Sequence, residues 1–371
     1  MGYVPVKGGT QAIDASIKRL TYNRLKGEEI LGINTILATM GSLVDQVMSE
    51  SSLYSPELAA LAIKQGEGSM EEAVFLMRAH RSTLPRHYYS ETVEAETMLV
   101  ERRISASFKD IPGGQLLGAT YDYTHRLLDF GLLEESPETN HAWLQEYKKS
   151  LSAVQSSKEV VYFPKVVDYL RKEGLFEAYE PDDAPPTDVT KQSLEFPTTR
   201  SARLQVLTRG QTGAVTSFGY ASLRGYGQVH PTVGEVRVGK VPIYTRHPNE
   251  MDEDPEDQFY VGEIRMTEVE SFVPVSKKNE ENEGALDFEI GYGVCYGQNE
   301  TKAIAMSILD QCLEHPNSTF PTHDEEFVLL HIDSVESSGF ISHLKLPHYV
   351  TFQSKLDSIR QVKKGAAEIE S

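Results

Sequence analysis

Cysteine is nearly absent: of 371 residues only Cys295 and Cys312 carry a thiol. Two cysteines exclude a disulfide scaffold and any zinc or iron–sulfur site built from four thiolates of this chain alone. Positive charge is scarce as well. Thirty-six Lys and Arg face 55 Asp and Glu, a formal charge of −19. That balance argues against an extended nucleic acid or an anionic membrane as partner, because phosphate contacts require dense Lys and Arg. No apolar run approaches the roughly 18 residues that cross a bilayer. No charged start followed by an apolar stretch marks a secretory signal. Met1-Gly2 opens like a myristoylation signal, but Val6 stands where Ser or Thr is required. The expected location is the cytoplasm. Three common catalytic patterns are also missing: the Gly-x-x-x-x-Gly-Lys-[Ser/Thr] phosphate loop, the Gly-x-Ser-x-Gly elbow and His-Glu-x-x-His.

What is present reads as an α+β chain. Hydrophobic residues at 39% and charged residues at 25% are ordinary for a globular protein, and the length suggests about two domains at roughly 150 residues each. From Glu28 to Ser51, Ile30, Ile33, Ile36, Leu37, Met40, Leu43, Val44, Val47 and Met48 recur at helical spacing. Ser55-Pro56 opens a second helix that stops near Gly66, and Ser69 with Glu72 forms a capping box for a third running toward Arg81. Pro85 ends this run. Further helices are predicted over 141–152 and 164–173. The acidic, proline-rich stretch 180–187 lacks apolar periodicity and reads as linker. Strand-like runs follow at Val215–Leu223, Gly234–Tyr244, Phe259–Val275 and Asp287–Tyr296, without intervening helices, which favours antiparallel pairing. Helices are predicted at 299–314, at 323–337 and from about Pro347. The expected organisation is a mainly helical N-terminal domain 1–179, a linker 180–198, and an α+β domain 199–371 with a mostly antiparallel sheet and C-terminal helices. Within it, the acidic stretch 248–258 and residues 276–284 read as solvated hairpin tips.

Several groups could carry chemistry. Arg102, Arg103 and Lys109 precede the Gly113-Gly114 turn; guanidinium groups pair bidentately with phosphate, and glycines admit close backbone approach. The competing partners for these arginines are the surplus acids. Gly8-Gly9 before a helix could offer amides to an anion or simply form a turn. Arg224-Gly-Tyr226-Gly and Ile290-Gly-Tyr292-Gly place a ring between glycines, which suits stacking on a base or sugar. Such glycines more commonly mark bulges or sheet bends. His343 and His348 are five apart, so neither one helix nor one strand aims both at a single metal, whereas a turn at Pro347 could. Two histidines still fall short of zinc's usual three or four ligands. His323, His331 or a partner chain would have to complete the set.

Longer blocks point further. They include Glu57-Leu-Ala-Ala-Leu-Ala, Glu101-Arg-Arg-Ile-Ser-Ala, Lys109-Asp-Ile-Pro-Gly-Gly-Gln-Leu-Leu-Gly118 and Thr120-Tyr-Asp-Tyr-Thr-His-Arg-Leu-Leu-Asp-Phe130. A second series runs through Arg224-Gly-Tyr-Gly227, His230-Pro231, Gly234-Glu-Val-Arg237, Asp324-Glu-Glu-Phe-Val-Leu329 and His343-Leu-Lys-Leu-Pro-His-Tyr-Val350. Together they closely resemble the nucleosidase subunit (subunit I) of the bacterial carbon–phosphorus lyase core complex, over nearly the whole chain. The sequence departs from that family mainly at 248–258 and 131–195. The resemblance implies displacement of adenine from C1′ of ATP by methylphosphonate, giving ribose 1-methylphosphonate 5-triphosphate, with hydrolysis by the subunit alone. It also implies a heteromeric complex, expected as a dimer of heteromers, containing a radical-SAM subunit. At the interface with that subunit, His343 and His348 would bind a zinc ion whose sphere the partner's cysteines complete.

Such a reaction asks for a carboxylate facing the developing ribosyl cation, a proton for adenine, and Arg, Lys or Mg²⁺ against a triphosphate of about −4. The candidates are Asp122, Glu235 or Asp324 as the carboxylate. Arg102, Arg103, Lys109 and Arg224, with the Gly113-Gly114 turn, are the candidates for the phosphates, and Tyr226 and Tyr292 for stacking. Two other readings stand beside this one: a stand-alone purine nucleoside or nucleotide hydrolase, and a non-catalytic scaffold for the radical subunit.

Overall fold

Local signals place the first helices. In the computed structural model, which describes residues 9–106, 111, 113–153, 163–176, 184–226, 230–246, 258–279, 282–345 and 349–370, α1 (Gly9–Leu25) buries no side chain. The long apolar stripe is two helices, α2 (Ile33–Thr39) and α3 (Gly41–Ser51), broken at Met40. Gly41 adjoins the break, and glycine is the poorest helix former after proline. Both predicted N-caps form, but the Ser69–Glu72 box is only half closed, because the Ser69 amide donates to the Gly66 carbonyl at 2.9 Å. Ser55 accepts from the Leu58 amide at 3.5 Å to start α4 (Pro56–Gln65), and Ser69 accepts from that of Glu72 at 3.3 Å to start α5 (Met70–Thr83). The stripes of α2 to α5 meet in one core of Ile36, Val47, Met48, Ala59, Ile63, Val74 and Met77.

The sheet has four antiparallel strands in the order β1-β2-β3-β4: Leu99–Ile104, Thr232–Arg246, Gln258–Asn279 and Asn282–Tyr296. β2 to β4 follow the predicted runs. β1 is an addition from the N-terminal half, pairing with β2 at the sheet edge. Val215–Leu223 is not a strand. It lies in α9 (Thr212–Ala221) and the π-helical turn Ser222–Tyr226 that follows α9. Its β-branched and aromatic content suggests a strand, yet the buried Val215, Gly219 and Ser222 recur at helical spacing, and the Gln211 side chain caps the helix through the Ala214 amide. The other helices are α6 (Pro137–Ala153), α7 (Val166–Lys172), α8 (Arg200–Arg209), α10 (Glu300–Glu314), α11 (Glu325–His331), α12 (Ser334–Ser342) and α13 (Tyr349–Glu370). The helix predicted over 323–337 is thus two, because Asp333 accepts from the amides of Val335 and Glu336 and starts a new one.

α10 covers one face of the sheet. Val236, Val269 and Cys295 pack there against Ala303, Met306 and Leu309. The contact is very close. A Cβ on Gly291 or Gly293 would fall 2.0 Å from the carbonyl oxygens of Ser307 and Ala303. The glycines flanking Tyr292 therefore seat a helix on the sheet, so the Gly-Tyr-Gly pattern has a packing cause. The opposite face is charged, and residues 163–166 with α7 lie over it.

Candidate functional site

The alternation of a strand sends neighbouring side chains to opposite faces. Since Val236 and Val269 face α10, Glu235, Arg237, Glu268 and Glu270 face the other way, and the register sets Arg237 opposite Glu268 and Glu235 opposite Glu270. All four are buried. Arg103 arrives from β1, Tyr292 from β4 and Lys165 from the segment before α7. Seven polar or charged groups thus meet on one covered face.

Their bonds divide them. Arg103, fully buried, donates from Nε to Glu235 at 2.5 Å and from Nη2 to the Pro164 carbonyl at 2.8 Å, with its guanidinium 5.3 Å from the Phe163 ring centroid. Glu235 spends its second oxygen on the Val166 amide at 3.0 Å. Arg237 holds Glu268 through Nη2 at 2.6 Å and Nε at 3.2 Å, and the Tyr292 hydroxyl donates to Glu268 at 2.9 Å. Lys165 Nζ bridges Glu268 at 3.0 Å and Glu270 at 2.5 Å. Among the described residues, two buried atoms of the cluster have no hydrogen-bond partner: Nη1 of Arg237 and Oε2 of Glu270.

The electrostatics follow from these partners. Burial alone would raise both carboxyls; the adjacent Arg237 and Lys165 overcome it at Glu268, which is held down at about 2. Glu270 has Lys165 but not Arg237 as a bonded cation, and the neighbouring Glu268 and Glu235 add repulsion. Burial therefore dominates and pushes Glu270 up to about 7. Burial and then Glu268 raise the Tyr292 phenol well above its ordinary value. Two carboxyls on one strand face with pKa values driven apart form an arrangement suited to acid–base work.

The sequence candidates fall in several places. Arg103, Glu235 and Tyr292 join this cluster, and Gly113 lies against it: at φ 87° its missing Cβ leaves room for the Phe163 ring. Gly114, at φ 78°, faces open space. Arg102 leaves on the α10 side, where Glu300 and Asp122 each bind it at 2.6 Å. A bulge between Val100 and Arg102 also brings Glu101 to that side, against Arg265. Arg224 lies 5.8 Å from the Tyr220 ring centroid, and Tyr226 is exposed, its carbonyl accepting from Thr322. Asp324 caps α11 through the Phe327 amide and lines a separate cavity of about 580 Å³ beside His323. His343 ends α12, its Nδ1 2.5 Å from the Phe340 carbonyl. Lys109 and His348 lie outside the described residues, as do residues 248–257. Among the described residues no three His, Cys, Asp or Glu gather as metal ligands, and no helix is long and apolar enough to cross a membrane.

Lys165, Arg237, Glu268 and Glu270 escape the sequence reading. The available signal is Glu235-Val-Arg237 paired with Glu268-Val-Glu270, two alternating charged stretches whose pairing, one of opposite charges (Arg237 with Glu268) and one of like charges (Glu235 with Glu270), appears only once the register is known.

Comparison with known proteins places the chain. The family model for bacterial phosphonate metabolism protein (PhnI) matches residues 2–366. The chain is 43% identical over 372 residues to the putative C-P lyase subunit protein HtxH of Stutzerimonas stutzeri, covering 99% of this chain and 97% of that one. It is 42% identical to the alpha-D-ribose 1-methylphosphonate 5-triphosphate synthase subunit PhnI of Rhizobium meliloti, over 98% of this chain and 95% of the relative. Identity to the Escherichia coli protein of the same name is 41%, with 97% and 98% covered. The expected family is thereby established: this chain belongs to the PhnI family of bacterial phosphonate metabolism proteins.

Proposed function

We propose that this chain is the nucleosidase subunit of a carbon–phosphorus lyase complex in the cytoplasm, displacing adenine from C1′ of ATP with an alkylphosphonate such as methylphosphonate. The observation that carries the reading is the length-wide relationship to two subunits named for synthesis of ribose 1-methylphosphonate 5-triphosphate. The buried carboxylates of the sheet supply what the chemistry asks for, since cleavage of an N-glycosidic bond builds positive charge on the ribose. For the triphosphate, burial separates the two arginines. Arg103 and Glu235 are sealed at 0% and 2% side-chain exposure, whereas Asp122, the partner of Arg102, is 47% exposed. Arg102 is the more open of the two, yet it bonds Glu300 on the α10 side, across the sheet from Glu268 and Glu270, so the triphosphate of a nucleotide whose ribose faces those carboxylates is left to Mg²⁺ as its counter-ion.

Purified chain incubated with ATP should release free adenine, seen by chromatography. With partner subunits and methylphosphonate present, ³¹P NMR should show the ribose 1-methylphosphonate ester. Absence of adenine supports a scaffold, and hydrolysis alone under the second condition supports a stand-alone hydrolase; either result defeats the proposal.

The same reading assigns a zinc ion to His343 and His348, shared with the radical-SAM subunit. The donor chemistry at His343 fits. Its Nδ1 faces a carbonyl acceptor, so the proton sits there and Nε2 is the basic nitrogen, the usual state of a ligating imidazole. The ion would act as a cross-link between subunits. His343→Ala should lower zinc in the purified complex, measured by elemental analysis, and leave adenine release by the free subunit within about twofold of wild type. Lost adenine release would place His343 in the reaction itself.

A further inference from the structure

We propose, on the nucleosidase reading above, that Glu270 is the general acid that protonates the departing purine, and that Glu268 beside it is the permanently charged carboxylate stabilising the ribosyl cation. The two are i and i+2 on β3, share one face and share one ammonium, Lys165. They differ in every other bonded partner. Glu268 also accepts two N–H groups of Arg237 and the Tyr292 hydroxyl. A carboxylate so saturated stays ionised. Among the described residues Glu270 bonds Lys165 alone, and its Oε2 is buried without a partner. The groups around it are Lys165 ahead of α7, Glu235 and Arg237 on β2, Glu268 on its own strand and Tyr292 on β4. Burial is the largest influence, and the carboxylates of Glu268 and Glu235 add to it against Lys165, so Glu270 takes up a proton and keeps it to about pH 7.

The proton then occupies a carboxyl oxygen with no hydrogen-bond partner among the described residues, on the sheet face that also holds Arg237, whose Nη1 is likewise unpartnered. Both are donors. A purine offers ring nitrogens as acceptors. In the step, the C1′–N9 bond breaks with its electron pair going to the purine, and the Glu270 proton moves to a ring nitrogen, releasing neutral adenine. A phosphonate oxygen, or water in the free subunit, supplies the pair for the new C1′–O bond. Glu270, left as carboxylate, regains a proton from solvent or from that water.

The test uses two leaving groups. ATP requires a proton at the base, while 4-nitrophenyl β-riboside 5-triphosphate loses a stable phenolate without one. For the wild-type chain, kcat/KM on ATP should fall as pH rises through about 7, and that on the nitrophenyl substrate should not. Glu270→Gln should cost about 10²–10⁴-fold on ATP and abolish that alkaline limb, yet keep nitrophenyl turnover within about threefold. Equal losses on both substrates, or an unchanged ATP profile, would overturn the assignment. If the variant does not fold, the two wild-type pH profiles decide: parallel profiles reject Glu270 as the acid. If wild-type protein releases no adenine from ATP, it is the nucleosidase reading that fails.

Discussion

Replacing Arg103 with Leu is expected to destabilise the chain by about 3–5 kcal/mol. Arg103 is fully buried and Glu235 nearly so. Removing the guanidinium strands a carboxylate whose remaining bonded donor is the Val166 amide, in a region too dry for water to replace the lost charge. The change also frees the Pro164 carbonyl and the Phe163 ring, two of the contacts that hold residues 163–166 over the sheet. Lys165 sits in that segment, so the site should loosen with the fold. The double change Arg103→Leu with Glu235→Leu should recover part of the loss, because an apolar pair repays the cost of desolvating two ions. Denaturant unfolding followed by circular dichroism provides the measurement. Equal midpoints for the single and double variants would mean that the stranded Glu235 carboxylate is not what makes the single change costly.

The helical caps were legible because they are local. Ser55-Pro56 and Ser69-x-x-Glu72 carry their instructions within four residues, and the structure follows them. β2, β3 and β4 were legible through their strand-forming composition and turn boundaries. β1 was not: Leu99-Val-Glu-Arg-Arg-Ile104 sets three charged residues in a row, and the bulge at Val100/Arg102 breaks the period of two on which such a reading depends. Val215–Leu223 failed for the opposite reason, since strand-like composition there is overruled by the close seat of Gly219 on Ala305.

The site was only half legible for a related cause. Arg103, Glu235 and Tyr292 stood out by local context. Glu268 and Glu270, alternating with Thr267, Val269 and Ser271, look like the solvent side of an ordinary antiparallel strand. What makes that side an interior is Lys165 and its segment, about a hundred residues earlier in the chain. No window of sequence contains both. The same long-range covering explains why the face is charged and yet buried, with Lys165 as the cation shared by Glu268 and Glu270.

That covering has a thermodynamic signature. Glu268 and Glu270 should contribute to stability with opposite pH slopes. Glu268 is depressed to about 2 from an unfolded value of 4.5, so between those values the unfolded chain binds more protons and stability rises with pH. Its contribution is complete above about pH 4.5 and is lost as pH falls through about 2. Glu270 is raised to about 7 from the same 4.5, so the folded chain binds more protons in that window and stability falls as pH climbs through it. Above about pH 7 the full penalty applies, of order 3 kcal/mol for a shift of this size. Glu270→Gln imitates the protonated acid and should remove the penalty. The variant is therefore expected to unfold at higher denaturant than wild type at pH 8 and at nearly the same concentration at pH 5. A group kept for its packing would destabilise the chain at both pH values when replaced. A group kept for its proton costs stability in the wild type near neutrality, and the variant that regains that stability should be the one that no longer releases adenine efficiently.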